Sequence, residues 1–185
     1  MASTAQATAF GVEKMLAAMR SMSGDIERSA SEALTSVGAF YAKEIKQGIV
    51  RQAPGGRKFR KLADSTLKSK TNKAGKAKNK ALIDDGDLKN SITWKRDGMN
   101  AVFIGLLRTT KHPKYPGGVA NLGAIHEYGS KKRVDRPPAR PFVSPVVHSM
   151  RVQMRAQTVY FHMLHKRLDM RARRRGYSVS RRAFY

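Results

Sequence analysis

The sequence predicts an α+β fold: a small, mainly antiparallel sheet of about three or four strands packed against two long helices. Three observations lead there. Residues 25–51 and 144–170 carry apolar side chains at three- and four-residue spacing. Between them, residues 91–107 alternate polar and apolar around an Asp-Gly pair, a hairpin signal. A hydrophobic content of 41% over 185 residues supplies one core and is tight for two. One domain is therefore expected over residues 1–170, followed by an arginine-rich tail over 171–185.

The first apolar pattern is Val12, Met15, Leu16, Met19 and Met22, all on one helix face. Gly24 interrupts it, and Asp25 reads as the N-cap of a second run. That run is Ile26, Ala30, Ala33, Leu34, Val37, Tyr41, Ile45 and Ile49, a long helix stopped by Ala53-Pro54-Gly55-Gly56. Residues 57–80 hold ten bases and one acid, Asp64, with Phe59, Leu62 and Leu67 as the sizeable apolar side chains. They read as a long basic surface loop with room for a turn of helix after Asp64.

Asp85-Gly86-Asp87 reads as a turn that aims Leu88 and Ile92 into the sheet. Ser91 to Lys95 and Ala101 to Leu107 form the two arms of the hairpin. Residues 111–118, with Pro113 and Pro116, are loop. Residues 119–128 form a short helix that Gly129 closes in a left-handed conformation. Three prolines in Pro137-Pro138-Ala139-Arg140-Pro141 exclude regular helix and central strand. Ser144-Pro145 then reads as N-cap and first turn of the second long helix, with Val147, Met150, Met154, Thr158, Phe161, Leu164 and Leu168 along it to about Met170.

Charge is the strongest functional signal. Lysine and arginine total 37 against 13 acids, a net charge of +24. Such a chain repels itself and seeks polyanions or acidic protein surfaces. Residues 57–80 and 151–185 each contribute an excess of nine, together 18 of the 24. Lys73, Lys76, Lys78 and Lys80 in the first segment are the candidate contacts to DNA or to an acidic partner, with Arg171, Arg173, Arg174, Arg175, Arg181 and Arg182 in the second. No RNA-recognition or helix-turn-helix pattern accompanies them.

Catalytic signals are missing. Cysteine is absent, which removes disulfides, thiol nucleophiles and Cys zinc sites. His126-Glu127 opens like a zinc-protease motif, but Ser130 stands where the second histidine belongs. His162 and His165 lack a third ligand at matching spacing. Asp84, Asp85 and Asp87 are too few, in too short a register, for a calcium loop. No nucleophile with a neighbouring base can be named, so no catalytic residue, metal site or cofactor is expected. No apolar run is long enough to span a membrane, and the first 20 residues lack the pattern of a signal peptide.

The order of local signals resembles a known family. Leu62-Ala63-Asp64-Ser65-Thr66-Leu67-Lys68-Ser69-Lys70 precedes Leu82-Ile83-Asp84-Asp85-Gly86-Asp87-Leu88-Lys89-Asn90-Ser91-Ile92. A hairpin ending near Ile104-Gly105 follows, then Ile125-His126-Glu127-Tyr128-Gly129, then Pro138-Ala139-Arg140-Pro141-Phe142. This resembles the tail-completion and virion-morphogenesis proteins of tailed bacteriophages, including the minor tail protein Z type, over residues 62–147. The lysine-rich stretch before Leu82 and the arginine tail have no counterpart in that pattern.

The resemblance implies a non-enzymatic subunit of a ring, usually six-fold, in the neck or upper tail of the virion. It implies contacts to neighbouring neck and tail proteins, no membrane, and assembly in the host cytoplasm; the basic segments are expected to face genomic DNA in the channel, without sequence preference, or acidic surfaces of adjacent neck proteins. Asp85, Gly86, Leu88, His126, Glu127, Gly129, Pro138, Arg140, Pro141 and Phe142 are the structural positions it marks. The alternative, from charge alone, is a free basic nucleic-acid-binding protein; within the same virion class the alternatives are a tail terminator and a head-side joining protein.

Overall fold

A computed structural model describes residues 3–74, 79–111, 117–130 and 138–176. In chain order these give α1 (Ser3–Arg51), a 3₁₀ turn at Pro54–Gly56, α2 (Asp64–Ala74), α3 (Asp87–Ser91) and the strands β1 (Ile92–Asp97) and β2 (Ala101–Leu106). They continue with α4 (Gly118–Tyr128), α5 (Ser144–Val147) and α6 (Met150–Arg174). The long helices α1 and α6 lie side by side and antiparallel, since Glu44 of α1 meets Arg155 early in α6 and Asp25 meets Arg175 just beyond its end. The mixed α and β class is as the sequence predicts.

Several elements differ from the expectation. Gly24 does not divide the first helix: α1 runs unbroken for 49 residues, about 74 Å at 1.5 Å per residue. A glycine inside a helix costs only about 1 kcal/mol, and Asp25 turns its carboxylate to Arg175 at 2.8 Å instead of capping a new helix. The sheet has two strands among the described residues, where three or four are expected. The extended segment through Pro138 and Pro141 does not join it, because proline brings no N–H to a ladder. Part of the basic stretch 57–80 is the helix α2, longer than the single turn the sequence suggests.

The second long helix is split. Ser144 does not cap it through its side chain; its hydroxyl donates to Glu127 instead. α5 ends after one turn, and Ser149, with an extended backbone, starts α6. At the other end α6 continues through Arg174, past the expected end near Met170. The first residues assigned to the tail therefore belong to the helix.

A two-stranded sheet needs a surface to pack on, and α1 supplies it. β1 and β2 pair antiparallel with Trp94 opposite Ile104 and Ile92 opposite Leu106. Trp94, Ile104 and Leu106 share the face turned to the core. Gly38 permits the close approach, since a Cβ there would sit 2.4 Å from Val102 Cγ1 and 3.4 Å from Trp94 Cβ. The core joins Ala42, Ile45 and Ile49 of α1 to Leu88, Ile92, Val119, Phe142, Val146 and Val152. Phe142 is 1% exposed and plugs the core where the extended segment meets the last helices.

Two polar ties hold the irregular chain to this frame. The Gln52 carboxamide donates to the Ala81 carbonyl at 3.0 Å and accepts from the Ala81 N–H at 2.6 Å. Lys70 Nζ on α2 donates to the carbonyls of Ile83 at 2.7 Å and Lys80 at 3.0 Å. The first fixes the chain just after the basic segment to the end of α1, and the second fixes α2 to that same stretch.

Candidate functional site

Of the motif positions, Asp85, Gly86, Leu88, His126 and Arg140 converge on one cleft of about 440 Å³, while Glu127, Gly129, Pro138, Pro141 and Phe142 are not in its lining. Leu62, Thr66 and Lys70 form one wall, residues 82–88 the floor and rim, and Leu122, His126 and Arg140 the opposite wall. Gly86, at φ 91, is the N-cap residue of α3 and adopts the left-handed conformation that glycine accepts without cost. That turn sends Leu88 into the core and leaves Asp84 and Asp85 exposed at the rim. None of Asp84, Asp85 and Asp87 is without a partner of its own.

α4 anchors the far wall through two consecutive residues. The Arg140 N–H donates to the His126 carbonyl at 2.7 Å. Glu127, 8% exposed, accepts from the backbone N–H groups of Phe142 at 2.8 Å, Val143 at 3.0 Å and Ser144 at 2.8 Å, and from the Ser144 hydroxyl. Burial alone would raise the Glu127 carboxyl, but these four donors outweigh it and hold the group below its ordinary range. His126 is pushed the other way in charge: burial first, then Arg140 and Lys70, lower its pKa and keep the ring neutral. Gly129 closes α4 at φ 80, as predicted in sign, but with ψ 171 the chain leaves extended instead of in a left-handed turn.

Arg140 is buried, at 9% exposed. One Nη donates weakly to the Lys61 carbonyl at 3.4 Å, and Nε has no hydrogen-bond partner. Pro138 and Pro141 flank it and hold the chain extended into Phe142. Among the described residues no three His, Asp or Glu side chains gather as a metal site.

The basic residues fall into two groups. Arg171 meets Glu32 at 2.8 Å, Asp25 at 3.9 Å and the buried Ser29 hydroxyl at 2.7 Å. Arg175 meets Asp25 and Ser21, and Arg173 meets Asp169 at 3.0 Å. Arg167 and Arg155 continue the ladder to Glu32 and Glu44, with Arg155 also over the Phe40 ring. Arg171 and Arg175 thus serve the α1–α6 contact and Arg173 pairs within α6, roles the sequence reading as a loose tail misses. Arg174 and Lys80 are exposed. Lys73 lies in α2, while Lys76, Lys78, Arg181 and Arg182 lie outside the described residues.

Apolar surface is left uncovered along both long helices. Leu16, Met19, Met22 and Ile26 of α1 are between 46% and 56% exposed, and Met150, Met154 and Phe161 of α6 between 55% and 70%. α6 ends opposite Ser21 and Asp25, so the earlier turns of α1 reach past it. The helical spacing of these residues is visible in the sequence, but periodicity does not distinguish a core stripe from an interface stripe. Among the described residues no helix is long and apolar enough to cross a membrane. Comparison with family models, with characterised proteins and with solved structures gives no match.

Proposed function

We propose that this chain is a structural subunit of a tailed-phage virion, one copy of a ring in the neck or upper tail that joins head connector to tail around the DNA channel. The observation that carries the reading is the uncovered apolar stripe of α1, with Leu16 and Met19 on helical turns that extend past α6 and Met22 and Ile26 exposed beside its end. A lone helix extension with an exposed apolar face is marginal in water, and packing of that face stabilises it. Copies repeated around an axis would cover it, each α1 lying on its neighbour, in a head-to-tail contact that closes by rotation. The order of motifs from Leu62 to Phe142 supports the phage assignment, with six copies as the expected number.

Neighbouring neck and tail proteins, rather than a catalytic substrate, are the partners on this reading. The free nucleic-acid-binding alternative loses weight because Arg171, Arg173 and Arg175 are engaged within the chain. The segment bearing Lys73, Lys76, Lys78 and Lys80 remains the candidate for non-specific contact with DNA. Antibody labelling of tailed particles in electron micrographs tests the assignment. Label at the head–tail junction is expected, and particles that lack the chain would refute it.

A further inference from the structure

From the Arg140 cleft we infer a binding site for an acidic peptide segment: a partner's carboxylate, presented beside an apolar side chain, with the Arg140 guanidinium as its charge partner. The starting point is an energetic anomaly. Buried charges are paired in folded proteins, because an unpaired one loses its hydration without compensation. Arg140 is nine-tenths buried, its Nε is unpartnered, and its contact to the Lys61 carbonyl is long. Among the described residues no carboxylate forms an ion pair with it.

The cleft beside it is built for more than a bare ion. Leu62, Leu82, Leu88 and Leu122 offer apolar walls that an aliphatic side chain can cover. A carboxylate carried by a peptide gains over a small free anion, because its neighbour buries apolar surface in the same event. Arginine suits the task, since its fixed fork of donors matches a carboxylate in geometry as well as charge. A chain of charge +24 also selects acidic partners at long range.

The test uses the full chain and three probes: N-acetyl-leucine, its uncharged amide, and acetate. Methyl NMR shifts of Leu88 and Leu122 report occupancy at physiological salt. N-acetyl-leucine should bind saturably, with the amide and acetate each weaker by about tenfold, the worth of one charge-assisted contact or one buried side chain. Arg140→Met should erase the preference of acid over amide while leaving the melting temperature unchanged or raised, as removal of an unpaired buried charge predicts. Thr66→Trp, at an exposed position on the wall, should block all three probes in a folded protein and decides the matter if Arg140→Met fails to fold.

Equal binding of acid and amide, a preference that survives Arg140→Met, or binding unaffected by Thr66→Trp would overturn the inference. Acetate binding as tightly as N-acetyl-leucine would assign the site to a free anion and overturn the peptide. The inference is independent of ring formation, which is read from copy number and not from these probes.

Discussion

Glu127 and Ser144 are joined twice: one carboxylate oxygen accepts both the backbone N–H of Ser144, at 2.8 Å, and its hydroxyl. The second oxygen accepts from Phe142 and Val143, so one buried side chain fixes the chain entering α5. Glu127→Gln places an amide N–H against these donors and should cost about 2–3 kcal/mol, with Ser144→Ala costing about 1 kcal/mol. Chemical denaturation checks both. A Glu127→Gln midpoint equal to the parent's would mean that the segment is held by other contacts.

Acid should destabilise the protein in two stages. His126 and Glu127 both have folded pKa values below their unfolded ones of 6.5 and 4.5. A group so depressed contributes stability above its unfolded pKa and loses it as pH falls through the folded one. Stability should therefore decline first below about pH 6.5 through His126, then below about pH 4.5 through Glu127. His126→Gln should flatten the upper stage alone in a pH series of thermal melts. An unchanged slope there would show that the ring titrates freely.

Phe142→Ala should destabilise by about 3–5 kcal/mol, the usual cost of truncating a buried phenylalanine. It is 1% exposed and packs within the cluster that joins α1 to the hairpin. An unchanged melting midpoint would contradict that placement.

Gly38→Ala should cost about 1–3 kcal/mol by overpacking the α1–hairpin contact. The obstruction is one methyl of Val102, so Val102→Ala in the same chain should recover part of the loss. Denaturation of the single and double variants measures the coupling, and simple additivity would rule out the contact.

Duplex DNA should bind without sequence preference and release steeply with salt. Neutralising Lys73, Lys76, Lys78 and Lys80 should lower the log–log salt slope by about 0.9 for each phosphate that is no longer neutralised. Neutralising Arg171 and Arg175 should change that slope little and weaken the α1–α6 contact by about 0–1 kcal/mol per pair. The opposite ranking would restore the arginines as the DNA-facing group.

What can be read from the sequence follows from the range of the interactions. The hairpin, the closure of α4 at Gly129 and the burial of Phe142 rest on local turn chemistry and apolar spacing, and these are legible. The continuity of α1 through Gly24 is not, because one glycine costs a helix only about 1 kcal/mol and the carboxylate that reads as an N-cap is taken by Arg175, about 150 positions away in the chain. Strand number fails for a related reason: a proline-rich segment announces extended chain but not whether it pairs. At the cleft, His126, Asp85 and Arg140 each stand out separately along the chain, yet only the fold brings them to one place. Leu122 carries no local mark, and its part in the wall has no signal to find.

Native mass spectrometry of the chain released gently from purified particles tests ring assembly. A closed ring of identical copies, six in number, is expected, and it should fall apart when Met19 and Met22 are replaced by glutamate while the isolated chain stays helical by circular dichroism. Release of monomer alone, or a ring indifferent to those two substitutions, would contradict it.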